Sequence, residues 1–129
     1  MKYLGIDFGT KRVGAAVSDD AGTIAFPRET IANDAKLVPH LNKLVEEENI
    51  EAIVVGDTRS HGGAENPVST EAEKFIKALE QTTGLPVERA FEAWSSIVAS
   101  RYAPKGKEHD DAAAAAIILQ RYLDMNAKK

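Results

Sequence analysis

The chain of 129 residues has no cysteine, so disulfides and thiolate metal sites are both excluded. Any metal must be held by oxygen or by one of three histidines. Aromatic residues make up only 6%, and the single tryptophan, Trp94, reads as a core residue, with stacking on a base as the alternative. No apolar run approaches the roughly 20 residues of a membrane span, which argues against a membrane role. The first residues lead into a strand pattern rather than a signal peptide, which gives a cytoplasmic expectation. Positive charge is not in excess either: the formal net charge is -4, which counts against a uniformly basic nucleic-acid footprint.

The charge is unevenly placed. Glu46, Glu47, Glu48 and Glu51 crowd one segment, whereas Ser95 to Lys107 carries Arg101, Lys105 and Lys107 without an acid. Local patches steer a polyanion better than the total charge does. Hydrophobic content of 43% and charged content of 28% are ordinary for one globular domain, and the length permits a core without staples.

Read in order, Tyr3 to Phe8 alternates as a strand that places Leu4, Ile6 and Phe8 on one face and Asp7 on the other. Val13, Ala15 and Val17 alternate in a second strand. Asp19-Asp20-Ala21-Gly22 is a turn signal, and Thr23 to Ile31 reads as a third strand. Pro27 removes a ladder donor, which predicts that this strand lies at an edge. Asn33 or Asp34 is positioned to cap a helix with apolar residues Leu37, Leu41, Leu44 and Val45. Ala52 to Gly56 is a short apolar run of the buried parallel type. After a polar loop, Asn66-Pro67 opens a helix with the stripe Val68, Ala72, Phe75, Ile76 and Leu79, ended by Gly84. Pro86 to Phe91 predicts a fifth strand, Ser95 to about Tyr102 a brief helix, and Asp111 to about Met125 a last, alanine-rich helix.

The order β-β-β-α-β-α-β-α-α predicts an α/β fold with a mixed five-stranded sheet, three antiparallel strands followed by parallel ones, flanked by helices. That is the order of the ribonuclease H-like fold, here as a single domain over residues 1–129. Sites in such sheets gather at the carboxyl ends of the central parallel strands. Those ends carry Asp7, Asp57 and Glu92, and Asp111 begins the last helix on the face shared by Ala115, Ile118 and Tyr122. Asp110 falls on a neighbouring stripe. An acid inside an apolar strand is costly unless a cation meets it, so Asp7 is the anchor of the constellation. Converging carboxylates repel one another; two magnesium or manganese ions would resolve this and clamp an in-line phosphoryl displacement. Lys11, Arg12, Lys105 and Lys107 are the candidate phosphate contacts. The bland alternatives are an ordinary helix cap at Asp110 or Asp111 and solvated loop acids at Asp57 and Glu92. His40, His61 and His109 show no ligand spacing.

The block Gly5-Ile6-Asp7-Phe8-Gly9-Thr10-Lys11-Arg12-Val13-Gly14-Ala15-Ala16-Val17-Ser18-Asp19 closely resembles the opening of the YqgF/RuvX family of bacterial ribonuclease H-like nucleases. Phe26 to Ile31, Ile53 to Gly56, Thr83 to Val87 and Asp111 to Leu123 extend the similarity almost end to end. The resemblance implies a metal-dependent nuclease acting on the 5′ end of 16S ribosomal RNA precursors or on branched DNA junctions. It implies Asp7, Glu92 and Asp111 as metal ligands, with Asp57 as an added carboxylate. A junction resolvase would need two sites and hence a homodimer. Two segments depart from the family pattern. An Asp-Glu-Arg motif reads Phe91-Glu92-Ala93, and the stretch after Gly56 reads Asp57-Thr58-Arg59-Ser60-His61-Gly62-Gly63. These departures keep a catalytically degenerate nucleic-acid-binding protein as the alternative. Phosphoryl transfer from ATP, suggested by Asp7-Phe8-Gly9-Thr10, would need a second large lobe for which 129 residues leave no room.

Overall fold

The computed structural model describes residues 1–9, 11–56, 67–89 and 111–127. The glycine-bearing turn at Asp19–Gly22 closes with the Gly22 amide donating to the Asp19 carbonyl, and Gly22 takes a φ of 71° that favours glycine. The turn leads β2 (Arg12–Ser18) into β3 (Ala25–Ala32), which pairs antiparallel to it, and β1 (Tyr3–Asp7) pairs antiparallel to β2 on its other side. Then follow α1 (Leu37–Glu48), β4 (Ala52–Gly56), α2 (Pro67–Thr83), β5 (Val87–Arg89) and α3 (Asp111–Ala127). The sheet order is β3-β2-β1-β4-β5, with β4 parallel to both β1 and β5. This is the expected mixed sheet.

Strand alternation divides the core into two layers. Leu4, Ile6, Phe8, Val13, Ala15, Val17, Ile53 and Val55 point to the side covered by α1 and α2, where Leu41, Leu44, Phe75 and Leu79 meet them. On the other side Ala16 and Val54 pack against Ala115, Ile118, Leu119 and Leu123 of α3. β3 lies at the edge, as Pro27 predicts, and the register slips there: Ala15 faces Glu29 while Ala16 faces Pro27, leaving Arg28 as a bulge.

Several boundaries differ from expectation for local reasons. The cap of α1 is Lys36, without a side-chain cap bond. Asp34 Oδ1 instead accepts the Lys36 amide in a turn, and Asn33 Nδ2 donates to the Gly9 carbonyl, so neither residue caps the helix. β3 starts at Ala25 because Thr23 and Ile24 are held in the preceding turn by Asp19. Gly84, at φ 71°, ends α2 and returns its amide to the Glu80 carbonyl. The Asn66 cap, the end of β5 at Phe91 and the brief helix over Ser95–Tyr102 lie outside the described residues.

A candidate carboxylate site at the end of the central strand

Asp7 is the last residue of β1 and is 1% exposed. β1 is the middle strand, hydrogen-bonded on both sides, so the Asp7 backbone is fixed from two directions. Its in-register neighbours are Gly14 on β2 and Gly56 on β4. In-register residues share a face, so the sheet surface beside the Asp7 carboxylate carries no side chain on either side. The Phe8 amide continues the parallel ladder to the Gly56 carbonyl at 2.9 Å, which holds the strand end in place.

The same glycines seat α3. A Cβ built on Gly14 would stand 1.7 Å from the Asp111 carbonyl oxygen, and one on Gly56 would stand 2.8 Å from Ile118 Cδ1. A Cβ on Gly5, one pleat back on β1, would meet Leu119 Cβ at 2.6 Å. The helix therefore lies against a strip of bare backbone, and its first residue, Asp111, comes down over Gly14 next to Asp7. Asp111 is 4% exposed, and its position in the first turn lets the helix dipole favour its charge. Its Oδ2 accepts Arg12 Nε at 3.1 Å across 99 positions of sequence. Arg12 reaches in from the start of β2 with its side chain 60% exposed.

Of the residues expected from sequence, the fold brings Asp7 and Asp111 together, with Arg12 on Asp111 and Lys11 exposed beside it. Asp57, Glu92, Asp110, Lys105 and Lys107 lie outside the described residues. Among the described residues no three His, Asp or Glu side chains gather into a metal-holding group, so the pair needs a donor from elsewhere. Its chemistry nonetheless fits a divalent ion: two buried carboxylates that offer hard oxygen donors, with glycine as the in-register neighbour of Asp7 on both sides. Sequence reasoning missed two participants, the ion pair of Arg12 and the glycine seat of α3. The pocket lined by Phe8, Asn33, Leu37, Val38, Lys74 and Phe75 opens on the α1–α2 side, away from the carboxylates.

A five-stranded sheet in this order, with an acid ending its central strand and another opening the helix across it, is the ribonuclease H-like fold. The solved structure of Thermus thermophilus RuvC in complex with a Holliday junction substrate has this fold: TM-score 0.66 at 14% identity, covering 98% of this chain and 96% of that one. The chain belongs to the RuvX family, whose model is described as Holliday junction resolvase and matches residues 1–125. A relative in Nitratidesulfovibrio vulgaris, described as a candidate pre-16S rRNA nuclease, is 44% identical over 89 residues, 67% of this chain and 63% of that protein. A relative of the same description in a Geobacillus species is 36% identical over 135 residues, 96% of this chain and 98% of that protein. Among the described residues no helix is long and apolar enough to cross a membrane.

Proposed function

We propose that the chain is a metal-dependent nuclease that hydrolyses phosphodiester bonds, built as one ribonuclease H-like domain over residues 1–129 and working in the cytoplasm. The observation that carries this reading is the buried pair Asp7 and Asp111, set at the end of the central strand in a member of the RuvX family. Asp7, Asp111 and Glu92 are the residues that would hold two magnesium or manganese ions, with Asp57 as a fourth carboxylate. Bound there, the ions would supply an activated water and neutralise charge on the phosphoryl and leaving oxygens.

The chain's own groups divide the remaining work. β1 fixes Asp7 through ladders on both sides, so its carboxylate needs little reorganisation. α3 brings Asp111 to it by packing directly on the glycines of β1, β2 and β4. Lys11, Arg12, Lys105 and Lys107 draw the sugar–phosphate backbone towards the acids. The descriptions of the relatives favour a 16S ribosomal RNA precursor as substrate, and the family resemblance points to its 5′ end. The family description favours branched DNA as the second reading, which would call for a homodimer.

The test is cleavage of a labelled precursor fragment and of a four-way DNA junction by wild type and Asp7→Asn, with magnesium or manganese. Even partners of a metal ligand are worth about 10–100-fold, so losing the ligand itself should reduce cleavage by more than about a hundredfold. Unchanged cleavage by the variant removes Asp7 from the site. Nucleic-acid binding without cleavage at any metal concentration makes the chain a degenerate binding protein.

A further inference from the structure

We infer that Arg12 is the resident counter-cation of Asp111, displaced when a divalent ion binds and thereby released towards the phosphate backbone. This rests on the metal-dependent reading above. Asp111 is nearly sealed from solvent, whereas most of the Arg12 side chain remains in water, with its Nε on Asp111 Oδ2 at 3.1 Å. The contact therefore neutralises a buried charge with a group that has left little hydration behind. Because guanidinium keeps its charge at any working pH, only a competing cation or a movement of the side chain can end the pairing. A divalent ion held by Asp7 and Asp111 would contest the same carboxylate and repel the guanidinium beside it. Release is cheap for the exposed arginine, and it would add one cation to the nucleic-acid face at the moment the site becomes competent. Lys11, exposed beside it, supplies a constant charge on the same face.

The exchange makes a closed thermodynamic cycle. If Arg12 stabilises Asp111 only in the metal-free protein, its removal weakens that form and strengthens metal binding by one and the same factor. The experiment is calorimetric titration of wild type, Arg12→Gln and Arg12→Lys with manganese alone, with thermal unfolding in chelator and in saturating manganese. Arg12→Gln should bind manganese on the order of tenfold more tightly, a difference of about 1.4 kcal/mol. It should melt below wild type in chelator and level with it in saturating manganese. Arg12→Lys, which keeps the charge but loses the rigid fork, should fall between the two and guards against a glutamine variant that does not fold. Equal manganese affinity in wild type and Arg12→Gln overturns the exchange, as does a melting deficit that persists in manganese, since Arg12 would then remain on Asp111 throughout. If wild type binds no manganese, the metal-dependent reading itself falls and the exchange with it. If wild type binds and the variants match it, only the exchange fails.

Discussion

The carbonyl oxygen of Asp111 rests against the α-carbon of Gly14, so close that a methyl group there would stand 1.7 Å from the oxygen and 2.2 Å from the carbonyl carbon. Both positions are backbone, so no rotamer change can relieve the overlap. Gly14→Ala should lift the start of α3 off the sheet, carrying Asp111 away from Asp7. Overpacking of this kind costs about 1–3 kcal/mol. Chemical denaturation should show that loss, and cleavage should fall much further than stability. Gly84→Ala is the control: among the described residues nothing lies within 4 Å of a Cβ built there, and the φ of 71° carries the strain, about 1–2 kcal/mol. Gly84→Ala should therefore lose stability while the folded fraction keeps its activity. Equal activity in the two variants would remove Gly14 as the seat of the site.

The other end of the α3 contact is a polar clasp. Gln120 Oε1 accepts the Ala25 amide at 2.9 Å, and its Nε2 donates to the Thr23 carbonyl at 2.9 Å, tying α3 to the start of the edge strand. Gln120→Ala leaves both backbone groups to find water and should cost about 1–2 kcal/mol. Because the clasp lies away from Asp7 and Asp111, cleavage per folded molecule should not change. Hydrogen exchange should register the variant first at Ala25, whose amide loses its acceptor; protection equal to wild type there would show that the clasp contributes nothing.

Which of these relationships could be read in advance follows from what leaves a periodic trace. The alternation of Leu4, Ile6 and Phe8 placed Asp7 on the opposite face, and the structure has it there, buried against the α3 layer. Pro27 marked the edge strand because a missing donor has one tolerable position in a sheet. The Arg12–Asp111 pair left no trace: 99 residues separate the partners, and only the packing of α3 on β2 brings them together. The glycine seat was equally silent, since Gly5, Gly14 and Gly56 act by having no side chain and belong to three different strands. The α1 cap misled for a related reason: Asn33 and Asp34 have capping chemistry, yet Asn33 Nδ2 goes to the Gly9 carbonyl and Asp34 Oδ1 to the Lys36 amide.

Asp19 gives the fold a defined acid response. Its carboxylate accepts the Thr23 hydroxyl at 2.7 Å and the Thr23 and Ile24 amides at 2.7 and 3.1 Å. Those bonds, the Thr23 hydroxyl foremost, pull its pKa from the ordinary 3.8 down to about 2. A depressed carboxylate stabilises the folded state above its unfolded pKa, and that contribution is lost as pH falls through the folded value. Wild type should therefore exceed Asp19→Asn in stability by a constant amount near neutral pH, and the gap should close between about pH 4 and pH 2. Denaturation midpoints across that range supply the measurement. A gap that stays constant down to pH 2 would mean that the turn does not depend on the Asp19 charge.

At Asp7 the demands of fold and function pull in opposite directions. Its carboxylate is 1% exposed, and the buried acid of Asp111 stands over its in-register neighbour Gly14. Two carboxylates held this close repel one another when both are ionised, which opposes folding until a divalent ion binds between them. Asp7→Asn keeps the shape and removes one of the charges, so in chelator the variant should melt above wild type. Manganese should raise the melting temperature of wild type by mass action on the native state and leave that of the variant nearly unmoved. The two melting curves should therefore cross as manganese is added: the variant is the more stable protein without metal and the less stable one with it. A variant that melts lower in chelator would show that Asp7 is a structural acid whose charge the fold requires.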